Sequence, residues 1–119
     1  MEIGIVGLGA VGSAIKQGFE YIGHTTKGHD IRHNTKLEDV LSSEIVYICV
    51  GTPPDKNEHC DISAVIDVVD NLNKLEYKGI VAVKSTVKPG TTNELVKNYP
   101  NLTLAFVPEF LRERCAYED

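Results

Sequence analysis

A doubly wound α/β domain is predicted from this sequence: about five parallel strands, in the order 3-2-1-4-5, between two layers of helices. Three observations carry that expectation. Short β-branched runs alternate with longer stretches of helical period along all 119 residues, which is the pattern of βαβ units. The runs 3–6, 44–50 and 80–83 are apolar at nearly every position, as strands are when helices cover both faces of a parallel sheet. A glycine-rich turn joins the first run to the first helical stretch.

The elements follow in order. Ile3 to Val6 is a buried strand and Gly7 to Gly12 a turn. Val11, Ile15, Phe19 and Ile22 recur at helical spacing, and Gly23 is a stop signal. A polar second strand is placed at 25–30 by its position in the alternation, and a short helix at 37–41. Glu44 to Val50 is the clearest buried strand, ended by Gly51-Thr-Pro-Pro54, and residues 55–59 form a polar loop. Asp61 is a good N-cap for a helix with Ile62, Val65, Val69 and Leu72 on one face. Gly79 opens the strand Ile80 to Val83, and Ser85 to Gly90 turns into a helix capped by Thr91 or Thr92. Leu102 to Val107 is the fifth strand, and Pro108 takes the first position of a final helix. With no repeats, low-complexity tracts or linkers, residues 1–119 are expected to form a single domain.

Composition narrows the function. Apolar classes make up 42% of the chain, charged residues 24% and aromatics 7%, a globular balance with enough apolar surface for a core. Twelve Lys and Arg against 17 Asp and Glu leave −5, with a pI near 5.3. That argues against a nucleic-acid binder, which needs a basic face to displace counterions, and against an anionic membrane surface. The apolar stretch from Ile3 to Ile15 follows Met1 and Glu2, without the positive charge of a signal peptide. No other apolar run approaches bilayer-spanning length. Cys49, Cys60 and Cys115 are odd in number and widely spaced, so they read as reduced thiols of a cytoplasmic protein.

Gly7-Leu-Gly9-Ala-Val-Gly12 is GxGxxG. The spacing alone is weak evidence; here it follows a strand, opens a helix and is followed by Asp30, 18 positions after Gly12. Those are the contexts of a Rossmann-type dinucleotide turn. Gly7 permits the tight turn, Gly9 lets the backbone approach a pyrophosphate, and Gly12 lets the helix pack on the strand. The amides from Gly9 through Ala10 and Val11 then face the phosphates. Asp30 can accept hydrogen bonds from the adenosine ribose and would repel a 2′-phosphate, which favours NAD over NADP. Arg32 opposes that preference, since an arginine there could pair with a 2′-phosphate. A Walker A loop is excluded because no GK[ST] follows. An S-adenosylmethionine site fits less well with a complete GxGxxG and a long following helix. The competing reading is that the glycines only make a tight βα turn.

Ligands of such a sheet lie outside the carboxyl ends of the strands. The turns there read ICVGTP, VKSTVKPGTT and PEFLRE, with DISAV between the first two. In that order they resemble the N-terminal NAD-binding domain of the UDP-glucose/GDP-mannose dehydrogenase family, over all 119 residues. The resemblance implies oxidation of a sugar-nucleotide primary alcohol to a carboxylate, with two hydride transfers to two NAD⁺ and a cysteine thioester that is hydrolysed. It implies that Thr86, next to Ser85 in KSTV, orders the water and the reacting oxygen. It makes Glu109 the general base of hydrolysis and places Glu113 beside the nicotinamide. Thr52 and Pro53 would line the adenine–ribose side, and Gly51, in the same turn, is a further candidate for cofactor contact. Glu109 and Glu113 are i,i+4 on the expected final helix, so they point the same way. Acids in a first helical turn can equally do no more than complement the helix dipole.

The chain departs from the family pattern at Gly51, where proline is common, and at Arg114 and Cys115 after PEFLRE. The family chain is several times longer. The dimerisation domain and the sugar-nucleotide domain, with its nucleophilic cysteine, have no match here. Cys115 does not align with that cysteine and reads as a packed thiol. Cys60, beside His59 and Asp61, lacks the second ligand pair of a zinc site. His24, His29 and His33 read as turn residues, and no metal is expected. The expected function is the NAD-binding half of a nucleotide-sugar dehydrogenase, an excised piece or a naturally truncated gene product, inactive alone. Sugar nucleotide would bind only with the missing domains or a partner chain. Self-association through the edge strand 102–107, or its coverage by the final helix, is also expected. A stand-alone dinucleotide sensor or docking subunit is the alternative. A small β-hydroxyacid-type dehydrogenase is disfavoured by PEFLRE.

Overall fold

A computed structural model describes residues 1–30, 35–50, 62–84 and 89–107. Along the chain run β1 (Glu2–Val6), α1 (Ala10–Tyr21), β2 (Thr25–His29), a 3₁₀ turn (Leu37–Val40), β3 (Ile45–Ile48), α2 (Ser63–Lys74), β4 (Ile80–Val83), α3 (Pro89–Asn98) and β5 (Thr103–Phe106). All four strand pairings are parallel. The doubly wound α/β class is therefore as expected.

The strand order differs from the expected 3-2-1-4-5: it is β2-β1-β3-β4-β5. β3 lies against β1, with Ile3 opposite Ile45 and Val6 opposite Ile48, and not outside β2. Its residues explain the placement. β3 reads IVYI, with Val46 and Ile48 buried and Ile45 and Tyr47 half-buried, so both its faces need cover. β2 reads TTKGH and keeps every residue exposed or half-buried. A polar strand belongs at the sheet edge, where one side meets water. The outer place expected for β3 would have set β2 inside the sheet.

Successive side chains of a strand face opposite ways. One face of the sheet carries Val6, Val46, Ile48, Val81 and Val83, and packs with Val65, Val69 and Leu72 of α2 and Leu95 of α3. Tyr47, on the other face, meets Phe19 of α1 with ring centroids 5.4 Å apart. The expected helix caps moved. α3 begins at Pro89, which places Thr91 and Thr92 inside the helix. α2 begins at Ser63 with Ile62 as N-cap and no side-chain cap bond. Asp61, the polar loop 55–59 and the helix expected from Pro108 lie outside the described residues.

α1 and α2 end at the amino edge of the sheet in one motif. After α1, the N–H of Gly23 bonds the Glu20 carbonyl and that of His24 the Phe19 carbonyl, with Gly23 at φ +98°. After α2, Glu76 bonds Asn73 and Tyr77 bonds Leu72 in the same way, but the left-handed residue is Glu76, at φ 57°. Both are Schellman endings. Tyr77 is buried and its hydroxyl donates to the Ser43 carbonyl at 2.7 Å. Burial, helped by the Glu44 charge, pushes that phenol up to about 12.

Candidate functional site

β1 is the strand at which the winding reverses: α1 leads from it to β2 on one side, and β3 lies on the other. In open α/β sheets the crevice beyond the carboxyl ends at such a strand is where ligands bind. The glycine turn stands there. Gly7 has φ +96°, and its N–H donates to the His29 carbonyl at 2.8 Å. A Cβ on Gly7 would lie 2.8 Å from the Cys49 carbonyl carbon and the Val50 nitrogen, so both its conformation and its surroundings require glycine. A Cβ on Gly12 would fall on the Gly7 carbonyl oxygen. Glycine at that position lets α1 press directly on the end of β1.

Gly9 is the N-cap of α1. No side chain caps the helix there, and its first turn holds no acid. The helix therefore supplies neither a cap nor an acid of its own at its positive end, and its first amides suit an anion. The Cys49 side chain stands under this turn, 3.4 Å from the position a Gly12 Cβ would take.

Asp30 closes the other side. It is 6% exposed, and its Oδ2 accepts the Leu8 N–H at 2.7 Å, a charge-assisted bond across 22 residues of chain. Leu8 is held three ways. Its carbonyl accepts the Ser13 hydroxyl at 2.9 Å, and its side chain lies over Gly28, where a Cβ would come within 3.1 Å of both Leu8 methyls. Sequence reasoning missed Leu8, Ser13 and Gly28. A glycine inside the second strand is the one signal that pointed to a close approach there.

The structure therefore brings Gly7, Gly9, Ala10, Val11, Gly12 and Asp30 to one edge. Arg32, Gly51, Thr52, Pro53, Ser85, Thr86, Glu109 and Glu113 lie outside the described residues. The strands that lead to several of them end on the same edge. There Cys49 N–H bonds the Val6 carbonyl, Lys84 N–H the Ile48 carbonyl and Val107 N–H the Val83 carbonyl.

Residues 26–119 match the UDP-glucose/GDP-mannose dehydrogenase family, NAD binding domain. The chain belongs to this family. It is 32% identical to a UDP-glucose 6-dehydrogenase of Rickettsia prowazekii over 107 residues, which are 84% of this chain and 24% of that protein. A UDP-glucose dehydrogenase structure from Pyrobaculum islandicum superposes with a TM-score of 0.77 at 26% identity, covering 99% of this chain and 38% of the other. A ternary complex of GDP-mannose dehydrogenase from Pseudomonas aeruginosa gives 0.78 at 26%, covering 100% and 38%. The chain spans at most about a quarter of the curated relatives it matches. As a member of this domain family it is an NAD-binding Rossmann domain. Among the described residues, no helix is long and apolar enough to cross a membrane.

Proposed function

We propose that residues 1–119 form the NAD-binding unit of a nucleotide-sugar 6-dehydrogenase. In that enzyme the primary alcohol of a UDP- or GDP-linked sugar is oxidised to a carboxylate. The observation that carries the reading is the Asp30–Leu8 bond, which places a buried carboxylate beside an uncapped helix N-terminus at the reversal strand. In this assignment the amides around Gly9, Ala10 and Val11 hold the pyrophosphate, and Gly7 and Gly12 give it access. Asp30 accepts the ribose hydroxyls and disfavours a 2′-phosphate. NAD, when bound, supplies the hydride acceptor. The resemblance assigns Thr86 to ordering the reacting oxygen, Glu109 to general base catalysis and Glu113 to the nicotinamide end, with Ser85 a further cofactor contact. It places Thr52 and Pro53 on the adenine–ribose side; Gly51 of the same turn and Arg32, two residues after Asp30, are further cofactor contacts. The sugar nucleotide is bound by chain that these residues do not supply, so this stretch alone turns nothing over.

Calorimetric titration with NAD⁺ and NADP⁺ tests the reading. Saturable NAD⁺ binding, weaker NADP⁺ binding and loss of NAD⁺ affinity in Asp30→Asn support it. Asn is chosen because its carbonyl can still accept from Leu8 N–H, whereas Ala removes that clamp together with the charge. Equal affinity of parent and Asn variant would remove Asp30 from the site. NADH formation from UDP-glucose or GDP-mannose by the 119-residue chain alone would overturn the dependence on further chain.

A further inference from the structure

Asp30 is the first residue past β2, beyond the last strand residue, His29. A backbone leaving a sheet must find new hydrogen-bond partners, and Thr35 supplies them. Its Oγ1 accepts the Asp30 N–H at 3.0 Å and lies 3.2 Å from the Asp30 carbonyl oxygen, to which it donates. The same oxygen lies 3.0 Å from Nδ1 of His29. One hydroxyl thus gathers both main-chain groups of Asp30 and the neighbouring ring. Threonine is stiff at χ1, so the hydroxyl is held ready for this geometry. Local hydroxyl bonds of this kind commonly do no more than close a turn. Here the residue they hold is a buried acid whose carboxylate is tied to the glycine turn, with Oδ2 on Leu8 N–H. Fixing the backbone of Asp30 fixes the direction of its Cα–Cβ bond, and with it the carboxylate.

We propose that Thr35 is a positioning residue for the cofactor site: its hydroxyl holds Asp30 so that the carboxylate meets the adenosine ribose diol. It thereby sets ribose affinity and the preference for NAD over NADP. The proposal rests on the assignment of Asp30 to the ribose.

The test compares ADP with 2′,3′-dideoxy-ADP as ligands of the 119-residue chain and its variants, by calorimetry. The parent binds ADP more tightly, because only ADP offers the diol. Thr35→Val loses about two- to tenfold in ADP affinity, the range of one net hydrogen bond, with dideoxy-ADP affinity unchanged. Thr35→Ser keeps the parent ratio. In an Asp30→Ala background, Thr35→Val has no further effect, and the NAD/NADP ratio falls in Thr35→Val alone. If Thr35→Val does not fold, Thr35→Ala removes the same hydroxyl without added bulk and carries the comparison. A parent-like ADP preference in the variant that lacks the hydroxyl, or equal loss for both ligands, overturns the proposal. A parent chain that binds ADP and dideoxy-ADP equally overturns the ribose assignment of Asp30 itself, and the positioning role with it. A parent that discriminates while the variant does so unchanged overturns only the role of Thr35.

Discussion

The two ends of this parallel sheet are built by opposite means. At the carboxyl end, side chains are withheld: Gly7 and Gly12 bring β1 and α1 into direct backbone contact, and the N-terminus of α1 has no side-chain cap. At the amino end, groups are closed off: two Schellman turns take up helix carbonyls, and Tyr77 reaches from the end of α2 to the Ser43 carbonyl ahead of β3. The first arrangement leaves amides available to a ligand, and the second satisfies carbonyls within the chain. Among the described residues, the charged group buried at the carboxyl end is Asp30, which holds Leu8. The contrast teaches that ligand access belongs to one end of the sheet, so substitutions at the amino end should change stability alone, while those at the carboxyl end should change stability and binding together.

The largest effect should come from Gly12→Ala. The new methyl would meet the Gly7 carbonyl, which is backbone and cannot move aside cheaply. The expected cost is about 2–3 kcal/mol in urea unfolding, with NAD⁺ binding lost at concentrations that saturate the parent. Retained binding would mean that the close approach of α1 is not needed. Asp30→Ala comes next. It leaves the Leu8 N–H without its acceptor and should cost about 1–3 kcal/mol, while Asp30→Asn costs clearly less. Equal destabilisation by the two would show that the charge, and not the clamp, matters at this position.

At the amino end, Tyr77→Phe should cost about 1 kcal/mol near neutral pH and leave NAD⁺ affinity unchanged. It also carries a pH signature. An unfolded tyrosine releases its proton near 10, whereas folded Tyr77 holds it up to about 12. Between those values the folded state binds more protons, so stability falls as pH rises through the window. Denaturant midpoints of the parent should therefore drop from pH 10 to 12 more steeply than those of Tyr77→Phe; parallel curves would refute the assignment. The smallest change is a gain. Glu76→Gly relieves a left-handed residue of about 1–2 kcal/mol, offset by about 0.4–1 kcal/mol of unfolded-chain entropy. A rise of about 0.5–1 kcal/mol is expected, again without effect on NAD⁺.

Much of this was legible residue by residue. The βα alternation, the glycine turn and Asp30 are local patterns. Helical period, strand alternation and turn preference depend on neighbours a few residues apart, so Val65, Val69 and Leu72 could be placed on one face of α2, and Gly23 at the stop of α1, from the chain alone. The left-handed turn at Glu76 was not legible, because nothing in Leu-Glu-Tyr marks it; the burial of Tyr77 and its bond to Ser43, 34 residues away, hold it there. The roles of Leu8 and Thr35 were hidden for a related reason. Leu8 acts through its amide, which every residue but proline carries, and Thr35 through where the chain brings it.

By itself, then, the sequence determined the order and kind of the elements, the glycine turn and the acid that follows it, because each is set by short-range sterics and periodicity. The tertiary structure decided that β3 lies beside β1, that Asp30 bonds Leu8, and that Thr35 gathers the main chain of Asp30. The strand order and the Asp30–Leu8 bond join residues distant in the chain. They depend on which surfaces compete for burial: apolar β3 outbids polar β2 for the interior, and the acid at the end of the displaced strand comes to rest on the turn of its neighbour.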